Sequence, residues 1–67
     1  MSKLREKRLE LGISQVQLCT QTGLANSCVS DFELGKRIPW PRARKAIARA
    51  LRCSEQDLFP ELVIVRQ

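Results

Sequence analysis

Apolar residues recur along the 67-residue chain in short bursts at helical spacing, and most bursts close on a glycine or proline. Leu4, Arg8 and Leu11 fall at i, i+4 and i+7, with Leu9 beside them. This predicts a first helix over "KLREKRLEL", stopped by Gly12 just past its C-terminus. Ser14 opens a second helix as N-cap, and Gln17 three positions on completes an S-x-x-Q capping box. Val16, Leu18 and Cys19 give that helix its apolar side, and Gly23 stops it. A third helix follows from Asn26 to Leu34, with Val29 and Phe32 at i and i+3, Cys28 beside them, and Gly35 at its end. "KRIPWP" reads as a rigid connector, and Pro41 suits the first turn of a fourth helix. In "RARKAIARAL" the buried stripe is Ala43, Ile47, Ala50 and Leu51, and the basic stripe is Arg42, Lys45, Arg49 and Arg52. Ser54 and Asp57 frame a short fifth helix ended by Pro60. The tail "LVIVRQ" is β-branched and strand-like. The pattern is therefore all-α: one domain over residues 1–60 and a tail over 61–67, where Leu62 to Val65 either pack on the same domain or pair across a dimer.

Size and charge narrow the function. A chain this short buries only about 60% of its unfolded surface, so its core is near the practical minimum. Twelve bases against seven acids give a net charge of +5. An anionic partner is the simplest reason, with plain solubility as the bland alternative. The charge is also uneven. Residues 35–52 hold seven bases and no acid, whereas residues 12–34 hold two acids and no base. Three cysteines at wide spacing, with no histidine, argue against a zinc site or a disulfide framework and read as small hydrophobes in a reducing cytoplasm. The charged N-terminus is unlike a signal peptide, and no apolar run approaches the ~20 residues of a membrane span. No histidine, paired acid cluster, glycine-rich phosphate loop or thiol–base pair points to an enzyme, and no cofactor or small-molecule ligand is expected.

The block Gln15–Leu34 carries the functional reading. Two short helices about Gly23 make a helix-turn-helix when a small residue sits at their crossing and apolar residues staple the unit to the core. Cys19 is the small residue, and Leu18, Leu24, Val29 and Phe32 are the staples. "LREKRLELGISQVQL", "TGLANSCVSDFELGKRIP" and "AIARALRCSEQDLF" together resemble the phage-repressor and Cro-like (XRE) helix-turn-helix domains, from about Leu4 to Phe59.

The resemblance implies a five-helix, lambda-repressor-like DNA-binding fold and places residues by position. Arg8 and Glu33 occupy the places of a partly buried ion pair between helix 1 and the end of helix 3. Gln15, in the first turn of helix 2, matches a residue that touches phosphate and outer base pairs, and Gln17 joins the DNA-facing set. Ala25, Asn26, Ser27, Ser30 and Asp31 lie on the helix 3 face that enters the major groove. Lys36 and Arg37 follow it where backbone contacts are usual, and Arg42 opens the next helix near the same phosphates. The chemistry agrees. Free N–H groups at Ser14–Gln15 can hold a phosphate, asparagine can read adenine, serine reads more loosely, and an aspartate can accept from cytosine or repel wrong sites. The basic helix 4 stripe reads as solvated, with its Arg42 end near DNA.

Five positions depart from the family pattern. Cys19 replaces an alanine. Thr22 and Arg44 stand where apolar residues are common. Ala25 replaces a capping side chain, leaving Asn26 as the nearest substitute, and Trp40 replaces a small N-cap residue and reads as a loop anchor. The expected function is a cytoplasmic, sequence-specific transcriptional regulator, most simply a repressor, binding double-stranded DNA as a homodimer on a palindromic operator. The alternative is a helix-turn-helix protein-interaction module such as an antitoxin. A membrane-surface role for helix 4 is weaker, because its apolar face is needed by the core.

Overall fold

The computed structural model describes residues 2–60 and residue 62. Five helices form in order: α1 Lys3–Glu10, α2 Gln15–Thr22, α3 Asn26–Leu34, α4 Pro41–Ala50 and α5 Glu55–Leu58. Among the described residues there is no strand, and Leu62 lies in a turn partly packed on the core. The rest of the tail lies outside the described residues. Among those described, no helix is long and apolar enough to cross a membrane.

Serine chemistry starts three of the helices. Ser2 Oγ accepts from Arg5 N, while Ser14 with Gln17 and Ser54 with Asp57 form reciprocal capping boxes. These bonds satisfy N–H groups that the first turn cannot bond internally. The C-termini of α1, α3 and α4 close by one device. The amide two residues past the last αR residue bonds back five positions: Ile13 N to Arg8 O, Lys36 N to Asp31 O and Cys53 N to Ala48 O. That loop needs a left-handed residue. Gly12 and Gly35 supply it for α1 and α3, but at the end of α4 the position is Arg52, at φ 56°.

The core is one cluster of Leu4, Leu18, Val29, Phe32, Ala43, Ile47, Ala48, Leu51, Leu58 and Phe59. The central helix is α2, packed on both α3 and α4, while α5 closes the base against α1 and α4. Leu18 is the one fully buried side chain of α2.

The pattern reading is corrected in four places. Leu11 and Val16 are exposed, at 43% and 65%, because α1 buries only Leu4 and Arg8 and α2 only Leu18. On α4, Ala48 is buried and Ala50 only half-buried, since α5 covers the Ala48 side. Asn26 is not a cap: Ala25 holds the N-cap position of α3 without a side-chain bond, and Asn26 is the first helical residue. Two departures from the family pattern acquire work. Thr22 Oγ1 donates to Leu18 O at 2.7 Å and accepts from Leu24 N at 3.4 Å, so the hydroxyl braces the turn between α2 and α3. Arg44 bonds Pro39 O at 2.9 Å and Glu55 Oε1 at 3.3 Å, tying the connector and α5 to α4. Trp40 packs edge-on against Phe32, with ring centroids 5.7 Å apart, and so anchors that connector.

Candidate nucleic-acid interface

One buried carboxylate sets the orientation of the first three helices. Glu33, near the end of α3, accepts from Arg8 Nε at 2.6 Å and Arg8 Nη2 at 3.2 Å, a bidentate pair with α1. Arg8 Nη1 reaches Ile13 O at 2.8 Å, fixing the α1–α2 connection. Gln15 Nε2 then donates to Glu33 Oε1 at 3.2 Å, which brings in the start of α2. Every charge in this group has a partner, the condition under which a buried ion pair is tolerated. The Arg8–Glu33 pair is therefore as expected. Gln15 differs: it is half-buried, its amide nitrogen faces inward, and only its carbonyl oxygen remains for an external donor.

The start of α2 is also more satisfied than the sequence suggests. The capping box engages the amides of Ser14 and Gln17 and the side-chain oxygen of Gln17. Gln15 and Val16 keep their first-turn amides, and exposed Gln17 keeps its side-chain NH₂. By contrast, α3 and α4 carry no side-chain cap, because their N-cap residues are Ala25 and Trp40. The amides of exposed Asn26 and Ser27 in α3 and of exposed Arg42 in α4 are left for an outside acceptor such as a phosphate oxygen, while Pro41 has no N–H, Ala43 is buried and Cys28 N bonds Ala25 O.

The outward face of α3 carries Asn26 and Ser27, both exposed, with Ser30 and Asp31 half-buried. Asn26 Oδ1 lies 3.6 Å from Cys19 Sγ, which donates to it, so Nδ2 is the group left to face outward. Burial pushes the Cys19 thiol above its ordinary value of 9.0 and keeps it a neutral donor. Asp31 is not a free acid: Arg37 Nε lies 3.7 Å from its carboxylate. Arg37 Nη1 also lies 3.9 Å from Cys28 Sγ, so this side chain folds back along α3 instead of projecting to a phosphate. Lys36 and Arg42 are exposed, and no carboxylate among the described residues pairs with either.

The sequence reading missed Leu34. It is 64% exposed and follows Ser27 and Ser30 at i+7 and i+4, on the same helix face. An apolar residue there can meet a thymine methyl. Its apolar character hid it, since only its position on the helix separates it from core residues such as Phe32. The geometry is thus two helices crossing at Cys19 about a left-handed Gly23, with the second presenting short polar side chains outward.

Residues 4–58 match the model of the helix-turn-helix family HTH_3. The chain belongs to this XRE/Cro-like helix-turn-helix family. No curated protein matches it. The helix-turn-helix protein is accordingly of the DNA-binding transcriptional-regulator kind. In it, α2 and α3 are the two helices of the motif, and α1, α4 and α5 are the scaffold that holds them.

Proposed function

We propose that this protein is a repressor that binds a palindromic DNA operator as a homodimer, with one α3 in the major groove of each half-site. The observation that carries the reading is the outward face of α3. Apart from Leu34 its side chains are short and polar, the face is net neutral once Asp31 pairs with Arg37, and uncapped helix starts and the cations Lys36 and Arg42 flank it. Asn26, Ser27, Ser30 and Leu34 are the base-reading set. Ala25 and the α3 amides approach the backbone at the groove edge. Gln15 through its backbone amide, Gln17 through its side-chain NH₂, and Lys36 and Arg42 through their charges hold phosphates, supplying sequence-independent affinity. Arg37 acts through Asp31, limiting that acid's repulsion of DNA. Two-fold pairing would set half-sites one helical turn, about 34 Å, apart.

Selection of bound sequences from random duplex DNA tests this. A palindromic consensus with that spacing supports it, and a single unrepeated motif overturns the dimer. Specific binding that survives Asn26→Ala, Ser27→Ala and Ser30→Ala together overturns the assigned reading face. A second reading, a protein-interaction module on the same scaffold, is favoured by the exposed apolar side chains of Val16, Leu34 and Ile38. Salt separates the two. A DNA binder loses affinity with a log–log slope of about −0.9 per phosphate contact, and a flat response favours the protein partner.

A further inference from the structure

Resting on that DNA-binding reading, we propose that the outer face of α4 is a second phosphate-contact surface, which holds the backbone of duplex DNA flanking the operator half-site. Arg42, Lys45 and Arg49 line a shallow groove whose floor is Ala46. They lie at i, i+3 and i+7, on the side of α4 opposite Ala43, Ile47 and Leu51. Four other cations of the fold pair with carboxylates: Lys7 with Glu10, Arg8 with Glu33, Arg37 with Asp31 and Arg44 with Glu55. None of the three groove cations has a carboxylate within ion-pair distance among the described residues.

Like charges at these spacings repel within a helix, so the stripe works against the fold until an external anion joins it. The small floor matters as well. Alanine between three long cationic side chains leaves a channel that an extended polyanion can enter, where a larger residue would fill it. The stripe spans about 10 Å of helix axis, the length of about three successive phosphates on one strand. It also begins at Arg42, already placed against the operator backbone, so the same strand can continue along it without a break. That continuity favours flanking DNA over a separate acidic partner.

Fluorescence anisotropy of the full chain on the selected operator tests the proposal. Two duplexes are compared, one ending at the half-sites and one with a further helical turn, about 10 base pairs, on each side. Wild type is expected to bind the longer duplex more tightly, with a salt slope steeper by about 3.6 for four added contacts, two from each protomer of the dimer. The double variant Lys45→Ala/Arg49→Ala is expected to bind both duplexes alike while retaining operator preference. Lys45→Glu is expected to lose the flank gain yet melt no lower than wild type, because glutamate four residues before Arg49 forms a favourable pair; this separates binding from misfolding. Wild-type affinity that ignores flank length, or a double variant that keeps the flank gain, overturns the stripe as a DNA surface. A wild type that binds neither duplex overturns the regulator reading and the stripe with it.

Discussion

Glu33→Gln is the substitution that best tests how the helix-turn-helix is held. It keeps the size and shape of the side chain, removes its charge and turns one of the two accepting oxygens into an NH₂ donor. The Arg8 guanidinium would then remain inside the protein, 9% exposed, without its counterion. Breaking such a pair from one side costs about 3–5 kcal/mol. A domain of this length has about 3–10 kcal/mol in total, at 0.05–0.15 kcal/mol per residue. The loss is therefore comparable to the whole stability. At about 4–8 °C per kcal/mol for a domain of this size, melting followed by circular dichroism at 222 nm should fall by at least about 12 °C. Arg8→Met/Glu33→Leu removes both charges together and should recover most of the loss, since well-packed apolar replacements of buried pairs are often neutral or better. A Glu33→Gln protein that melts within about 4 °C of wild type would show that this network does not clamp α1 to α3. A double variant no better than the single would show that Arg8 contributes chiefly through Ile13.

Three further outcomes follow from particular side chains. Arg52→Gly should stabilise the fold by about 1 kcal/mol, because Arg52 holds a left-handed φ of 56° that costs a non-glycine residue about 1–2 kcal/mol, less the extra freedom glycine has when unfolded; an unchanged or lower urea midpoint refutes the strain. Asp31→Asn should free Arg37 for phosphate, tightening DNA binding while changing stability by under about 1 kcal/mol, since the pair is exposed and 3.7 Å long; weaker binding confined to sites carrying one particular cytosine would show instead that Asp31 reads a base. Burial raises the Cys19 and Cys53 thiols above 9.0, so folding favours the protonated form, and stability holds below that pH and falls as pH rises past it. Urea midpoints between about pH 8.5 and 10 should fall less in Cys19→Ala/Cys53→Ala than in wild type, and parallel curves refute the assignment.

The helix boundaries were legible because glycine, proline and serine mark them through local chemistry that needs no tertiary partner. Gly23, Gly35, Pro41 and the Ser14–Gln17 box each act within four residues. Leu11 and Val16 misled because periodicity says which residues share a face, not whether another helix covers it. Ala48 was hidden for the complementary reason: α5 covers its side of α4, and that neighbour lies several residues beyond the helix. At the site, the Arg8–Glu33 pair was accessible only through resemblance, as its members are separated by 25 positions. The inward bond of Gln15 and the fold-back of Arg37 were not legible at all. Both depend on which long side chain reaches a carboxylate first once the helices have packed.

Two ion pairs account for the acids of α3 in its proposed DNA-reading role. The segment from Gly12 to Leu34 contains Asp31 and Glu33 and no base. Glu33 is neutralised from α1 by Arg8, and Asp31 from beyond α3 by Arg37, so the bases that offset the acids come from outside the segment. In the proposed complex the reading face is then made of short neutral side chains, while affinity would reside in Lys36, Arg42 and the α4 stripe. Such a division predicts separable phenotypes. Ser27→Ala or Leu34→Ala should change which base pairs are preferred, at about 1–3 kcal/mol per lost contact, and leave the salt slope unchanged. Lys36→Ala should weaken every sequence alike and lower the slope by about 1.8, about 0.9 for each copy of Lys36 in the dimer. Base preference and salt slope measured on one panel of duplexes decide the matter. If Lys36→Ala alters preference, or Ser27→Ala alters the slope, then reading and gripping are done by the same side chains, and the neutral face of α3 has a different purpose.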